Sequence, residues 1–418
     1  MNMHKGAFYV RAAAFRGSRA WDEIYKASYP ITSAVIGYLA LSYGVRLSLL
    51  PLFVPVLWIY SPNRYIGFLC LFAYNISVAR GLLPGAAVFL SHQHSFMGAF
   101  FLWSGMNFAI SMPFFLFYPR CRSGRALIFP CLCAVTYILP PLSILSVANP
   151  LCATGLLFPH SGLIGLMLIF LVYIACTVKR VVLTIFICVI GVLFFTPESC
   201  LLPNNADSEF YSINTSFGLL GSGSSDFTND FMRSSMVFSC LSDISISSLS
   251  QQNILLPETI AGRANGISLD LWRYEISKIR RPSQIVLWGA ELPTEGGKYD
   301  NCLLMYAGNE ISSVTQRVPV PYSMYKGPFS TEGANLHYLD NGILALPNGR
   351  RAAVLICYEV FLTWPLLRSF VADESPDMLI SVGNLWWCKD TSIPASYYRI
   401  IALWGRLFGV PVVTAVNI

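Results

Sequence analysis

RAAVLICYE, residues 351–359, decides how the second half of this chain is read. Five apolar residues in a row, Ala352 to Ile356, followed at once by Cys357, Tyr358 and Glu359, have the form of a buried strand that delivers a thiol to its end. GILAL (342–346) and the turn Pro347-Asn348-Gly349 supply a partner strand just ahead of it. Working outward, NILLPE (253–258) is a second short apolar strand, ending at Glu258. Residues 268–281 read as a helix, and SQIVLWGAEL (283–292) and NCLLMYAGN (301–309) as strands. WPLLRSF (364–370) reads as a helix, DMLISVG (377–383) as a strand, 394–408 as a helix and VPVVTAV (410–416) as a last strand. A Gly/Ser-rich stretch, Gly221–Ser225, precedes a helical pattern that runs to about Ser250. This alternation predicts a layered α/β domain with helices covering its sheets, and chemistry at the strand ends.

The first half is of another kind. Hydrophobic residues make up 55% of the 418 and charged residues only 12%, against about 25% charged in an ordinary soluble domain. That composition excludes a disordered chain and disfavours a wholly soluble enzyme. The net charge of +6 hides a split: residues 1–196 hold 13 Lys+Arg and 2 Asp+Glu, whereas 197–418 hold 15 and 20, giving +11 and −5. Because the positive charge lies between apolar runs, no nucleic-acid-binding patch is expected.

A bilayer core about 30 Å thick takes roughly 20 helical residues. Seven spans are expected near 30–43, 45–60, 65–83, 95–118, 126–147, 159–178 and 181–196. The basic residues of the N-terminal arm (Lys5, Arg11, Arg16, Arg19, Lys26), Arg64, the group Arg120, Arg122 and Arg125, and the pair Lys179 and Arg180 share one side if the N-terminus is cytoplasmic. Residues 1–196 are thus read as a multi-span α-helical membrane bundle and 197–418 as an extracytoplasmic domain. No cleavable signal peptide is expected. Arg46 and Arg80, near span ends, are read as snorkelling. The 12 Cys form no CxxC pair; five lie beyond the bundle (Cys200, Cys240, Cys302, Cys357, Cys388), an odd number that leaves one thiol unpaired in an oxidising compartment. His92 and His94 stand close together, but two His without a third ligand define no metal site, and no cofactor is assigned.

A thiol becomes a nucleophile when a neighbouring base takes its proton, and Glu258 at a second strand end is a candidate base for Cys357. Structural roles compete: Glu258 as a helix cap before Thr259, and Cys357 as a buried strand residue. A cation for the tetrahedral oxyanion has two candidates, Lys326 in SMYKGPF and Arg317 in QRVPVP, with Lys326 preferred.

ILLPET, the VPVP loop, LICYE and NLWW resemble the ordered motifs of the nitrilase superfamily of carbon–nitrogen hydrolases, whose triad is Glu-Lys-Cys. The resemblance implies an α-β-β-α sandwich for the second domain. A multi-span N-terminus ahead of such a domain resembles apolipoprotein N-acyltransferase. GLLPGAAVFL, LLPETIAGR, WGAELPTEGGKYDN and IIALWGRLFGVPVV are most similar to TraB-type conjugal transfer proteins.

By resemblance, Glu258 is the general base and Cys357 the nucleophile, with Glu359 orienting the site, Asn384 in a structural role, and Tyr358 and Trp387 beside an acyl channel or in the core. The implied partners are a phospholipid acyl donor, a lipoprotein or conjugation-apparatus protein as acceptor, and the membrane. The implied location is a bacterial inner membrane with the C-terminal domain in the periplasm. Aligned on Val320-Pro321, Gln316 occupies the lysine position of the acyltransferase and Met324 its glutamate position, while Trp404 and Leu407 replace an Arg and a Glu. The acyltransferase continues beyond the position of Ile418 with an eighth span, so this C-terminus is expected outside. Three activities remain open: acyl transfer, amide or nitrile hydrolysis, and non-catalytic assembly in conjugation.

Overall fold

The computed structural model describes residues 19–418 apart from 91–95, 148, 196–208, 220–226, 247–251, 282–283 and 373. His92, His94, Cys200, the Gly221–Ser225 stretch, the basic residues before Arg19 and the boundary at 196/197 lie outside the described residues.

The first half is helical: α1 Arg19–Ala40, α2 Phe53–Tyr60, α3 Arg64–Val78, α4 Leu82–Leu90, α5 Phe96–Leu116, α6 Arg122–Cys133, α7 Gly162–Ala175 and α8 Lys179–Phe195. Among the described residues, two helices are long and apolar enough to cross a bilayer, Arg64–Val88 and Phe96–Leu116, and a bent pair, Pro150–Leu157 with Gly162–Ala175, qualifies jointly. Several expected spans are therefore shorter than the apolar runs that announced them. Pro51 lies in a 3-10 segment, Arg46–Leu52, ahead of α2, and beyond Cys133 the helix widens into a π turn, Ala134–Ile138, that ends before Pro140. Proline removes a helical N–H and clashes with the preceding turn, a break that a composition window averages away.

The helices have two distinct ends. At one, Arg125 donates to Ile59 O (2.7 Å) and Ser61 O (2.8 Å), Arg122 lies 4.9 Å over the Tyr60 ring, and Tyr60 donates to Thr177 O at 3.0 Å. These contacts gather the basic loops around Arg64, Arg120–Arg125 and Lys179. At the other end, Ser396 and Arg399 donate to Leu41 O (3.3 and 2.6 Å), Asn149 bonds Thr363, and Tyr358 donates to Ile144 O at 2.7 Å. The α/β part is docked there.

That part contains β1 Phe210–Ser212, α9 Phe227–Ile246, β2 Asn253–Leu255, α10 Gly266–Ile279, β3 Val286–Pro293, β4 Tyr299–Ala307, β5 Glu310–Thr315, β6 Ile343–Ala345, β7 Arg351–Ile356, α11 Thr363–Phe370, β8 Met378–Asn384, α12 Ile393–Phe408 and β9 Val412–Asn417. One sheet runs β1-β2-β3-β4-β5, with β1, β2 and β3 parallel and β4 and β5 antiparallel; the other runs β6-β7-β8-β9, with β7, β8 and β9 parallel.

Strand alternation sorts the layers. Leu255, Leu287, Leu303 and Met305 face Val354, Ile356, Ile380 and Val413 in one core between the sheets. The opposite residues of the first sheet, Ile254, Trp288 and Leu304, pack on Trp272 and Ile276 of α10. The opposite residues of the second, Ala353, Leu355 and Leu379, join α11 and α12 in a cluster continuous with Trp58, Tyr74 and Phe129 of the helical half. The layers are helix, sheet, sheet, helix, with the N-terminal helices stacked on α11 and α12.

Candidate active site

Glu258 and Cys357 reach one point from the two sheets. β2 ends at Leu255, and Pro257 and Glu258 continue its line beside β3. Gly289 of β3 makes the approach possible, since a Cβ there would lie 2.5 Å from Glu258 Cα and 2.3 Å from Thr259 N. Cys357 follows β7 directly and opens a 3-10 turn, Cys357–Phe361. Its φ of +53° is left-handed, a conformation that costs a non-glycine residue about 1–3 kcal/mol and is found at sites where surrounding contacts enforce it. Here Glu359 supplies the enforcement: its carboxylate accepts from Ile356 N (3.1 Å), Arg317 N (2.5 Å) and Val318 N (3.0 Å).

The Cys357 thiol and the Asn384 backbone N–H lie close enough to the Glu258 carboxyl to act on its pKa, and its buried Oε2 has no hydrogen-bond partner among the described residues. Its Oε1 accepts from Asn301 Nδ2 at 2.7 Å. Asn301 reaches on to Gln316 Oε1 (3.0 Å), and Gln316 Nε2 donates to Ile356 O (3.0 Å), the carbonyl just before the thiol. Asn384 is fixed in turn, its Oδ1 accepting from Asn417 Nδ2 at 2.8 Å.

Burial dominates the electrostatics. Glu258 is 2% exposed, and loss of water pushes its pKa up to about 7, opposed by the neighbouring Cys357, Asn301 and Asn384 and reinforced by the Glu359 charge. Burial likewise raises the Cys357 thiol well above its usual value, as does the Glu258 charge, while the Asn384 N–H works against the rise. At rest the thiol is protonated, with the Glu258 carboxyl beside it.

The structure brings together Glu258, Gln316, Cys357, Glu359 and Asn384 from the sequence expectations, but among the described residues neither Arg317 nor Lys326 is a cation acting on the thiol. Arg317 is fully buried and committed elsewhere, to Glu359 (3.3 Å), Pro365 O (2.7 Å), Val354 O (2.7 Å), Asn341 O (3.0 Å) and Ser369 Oγ (2.9 Å). Lys326 is exposed on its loop and is not among the groups that act on Cys357 or Glu258. Sequence reasoning missed Asn301, whose signal was a lone amide at the head of the apolar run NCLLM. Among the described residues no group of three His, Cys, Asp or Glu side chains is placed to hold a metal.

Beside the thiol lies a small cavity of about 10 Å³ with an apolar lining, room for about one water molecule. Tyr358, Trp387, Ile393 and Val320 line it from the α/β part, and Leu82 and Val147 from the helical half.

Fold and site together define a two-sheet α/β protein with a buried Cys–Glu couple, roofed by apolar helices. Over most of its length the chain is similar to the conjugal transfer protein TraB of Agrobacterium fabrum, 29% identical over 87% of this chain and 86% of that one. It is also similar to a probable conjugal transfer protein TraB of Sinorhizobium fredii, 27% identical over 95% of this chain and 99% of that one. No family model matches. Among solved structures, those of a nitrilase-superfamily amidase from Nesterenkonia sp. AN1 cover 50–52% of this chain and 77–79% of theirs at 14–15% identity, with TM-scores of 0.35–0.37.

Proposed function

We propose that this chain is an integral inner-membrane protein of conjugal plasmid transfer with a nitrilase-type site, in which Cys357 accepts an acyl group from a phospholipid and passes it to an amine of a lipoprotein or another component of the transfer apparatus. The observation that carries the reading is the left-handed Cys357 beside the buried Glu258, at a small apolar cavity walled from the helical half by Leu82 of α4 and by Val147. An acyl chain stays in an apolar phase because exposing each methylene to water costs about 0.8 kcal/mol. A thiol that meets the ester carbonyl beneath such helices lets the chain remain there.

The steps balance. Glu258 takes the thiol proton as sulfur attacks the ester carbonyl; the C–O bond breaks, the lysophospholipid oxygen leaves with that proton, and a thioester remains on Cys357. The acceptor amine then attacks the thioester, the C–S bond breaks, and the amine's proton returns through Glu258 to the departing thiolate. With the basic loops at the far end of the helices and the α/β part at the near end, the positive-inside rule favours a cytoplasmic N-terminus and a periplasmic site.

One observation favours a second reading, a non-catalytic assembly factor: neutral Gln316 holds the position where the resemblance expects lysine, and Arg317 is committed to Glu359. Intact-protein mass spectrometry after incubation with phosphatidylethanolamine vesicles separates the two. An acyl mass on the wild type, absent from Cys357→Ala, is expected. No adduct, with plasmid transfer unimpaired in Cys357→Ala cells, overturns the enzymatic reading.

A further inference from the structure

We infer that Tyr397 of α12, bonded to Ser381 and seated against Gly383, is a positioning residue of the reacting couple: its hydroxyl props the Gly383–Asn384 peptide and so keeps the Asn384 N–H on Cys357 and Glu258. The inference rests on the reading of Cys357 as a nucleophile and adds to it a part that sets the reactivity of the thiol.

The register of the second sheet brings these residues together. β7 and β8 pair in parallel from Ala352 with Met378 to Ile356 with Val382, so the next residues along, Cys357 and Gly383, stand at one level where the ladder ends. Asn384 follows, and its backbone N–H lies close enough to the thiol and to the Glu258 carboxyl to act on both. It is a neutral donor in a site where neither Arg317 nor Lys326 acts on the thiol. Beyond its N–H, Asn384 is firmly held: its carbonyl accepts from Trp387 Nε1 at 3.1 Å, its Oδ1 accepts from Asn417 Nδ2 at 2.8 Å, and Leu385 N donates to Asn417 O at 2.7 Å. Ahead of the N–H stands a glycine, the residue with the most backbone freedom.

Tyr397 fills the place of the side chain that Gly383 lacks. A Cβ there would lie 3.0 Å from the phenol oxygen and 3.2 Å from Cζ, the kind of close approach that a glycine inside a strand permits. The hydroxyl is hydrogen-bonded to Ser381 Oγ, two residues back on the same face of β8. The ring meets Phe361, the last residue of the turn that Cys357 opens, edge to face at 6.1 Å. One side chain thus touches both the peptide ahead of Asn384 and the turn that carries the thiol. Tyr397 and Ser381 are fully buried, in the layer that holds Leu355, Leu379 and Ile400. Replacing both partners of such a bond by apolar groups of like shape is nearly neutral or stabilising, so stability alone does not call for this pair beside the thiol.

An N–H aimed at a thiolate or carboxylate favours the charged form. Without the hydroxyl, the space against Gly383 lets the peptide turn, the N–H moves off both groups, and both release their protons at higher pH.

The test is the rate at which iodoacetamide alkylates Cys357, the thiolate displacing iodide, measured against pH on the full chain in detergent and read from the mass of the peptide that carries Cys357. Tyr397→Phe is expected to move the rise of the profile upward by about one pH unit, which is a roughly tenfold slower reaction at a given pH on the rising limb. Ser381→Ala keeps the hydroxyl but removes its anchor, and is expected to shift the rise in the same direction by less. The double variant, Ser381→Ala with Tyr397→Phe, is expected to match the thermal midpoint of the wild type and still show the shifted profile. An unchanged profile in Tyr397→Phe overturns the inference. So does a double variant whose profile returns to that of the wild type together with its midpoint, because the effect of Tyr397→Phe would then be one of packing. Phosphatidylethanolamine vesicles keep this inference apart from the thioester reading. The expected shift with no acyl mass on wild-type Cys357 counts against the thioester reading alone; an acyl mass on the wild type with an unchanged profile in Tyr397→Phe counts against the role of Tyr397 alone.

Discussion

Two buried glutamates, Glu258 and Glu359, lie near the same thiol, and their surroundings differ in kind. Glu359 is 1% exposed and wholly compensated: the Arg317 guanidinium at 3.3 Å and three backbone N–H groups occupy its carboxylate. Glu258 is 2% exposed and has one hydrogen bond, from the Asn301 amide, with its Oε2 unpartnered and no cation beside it among the described residues. The first arrangement surrounds the carboxylate with donors, which suits a part that holds the 316–318 and 356–359 turns in place. The second leaves a carboxyl balanced near neutrality, which suits a part that exchanges protons. Burial alone therefore does not identify a functional carboxylate; what compensates the burial does.

Substitutions test that contrast, and the largest effect is expected at the thiol. Cys357→Ala should abolish the acyl adduct in intact-mass spectra while leaving the protein folded, since the change removes one sulfur from a 6%-exposed position. Any residual adduct would place the acyl group elsewhere.

Glu258→Gln should slow adduct formation by roughly 10²–10⁴-fold, the usual contribution of a positioned base, with little change in the thermal midpoint. The Glu359 side should respond in the opposite way. Arg317→Leu leaves a buried carboxylate without its counter-charge and should cost about 3–5 kcal/mol of stability, read from thermal unfolding in detergent. If Arg317→Leu slowed the chemistry without lowering the midpoint, Arg317 and not Glu258 would belong to the reacting group.

A smaller effect sharpens the comparison. Gln316→Lys would place a cation where the thiol has none among the described residues, and a charge at this range should lower the thiol pKa and speed alkylation of Cys357 roughly tenfold at neutral pH. No acceleration would mean that the Asn301 and Gln316 amides, not a missing charge, set the reactivity.

The linkage of Glu258 to stability has a definite sign. Its folded-state pKa of about 7 lies above the ordinary 4.5, so the folded protein holds the proton more tightly. That contribution is fully present below about pH 4.5 and is lost as the pH rises through about 7. Glu258→Gln should remove this loss.

The strands and both reacting residues were legible in the sequence because they are written locally. Apolar runs such as AAVLI and ILLP mark strands, and the residue that ends each run is the one delivered to the sheet edge. Asn301, the pairing of Arg317 with Glu359 and the cavity wall at Leu82 were not legible, because each depends on which distant segments meet: Arg317 bonds residues 24 to 52 positions away. Between Arg317 and Lys326 the sequence preferred Lys326 as the cation, and only packing shows that Arg317 is buried against Glu359 and Lys326 exposed. The helix lengths were overread for a different reason, since apolarity is necessary for a span but Pro51 and the π turn at Ala134–Ile138 decide where a helix stops.

The central claim, that Glu258 and Cys357 work as one proton-sharing couple, is tested most directly by the rate of Cys357 alkylation against pH in the wild type and in Glu258→Gln. The couple predicts that the wild-type rate rises through about pH 7, where Glu258 gives up its proton, and that this rise is lost in Glu258→Gln. A wild-type profile rising only near the ordinary thiol value of about 8.5, and unaltered by Glu258→Gln, would contradict it.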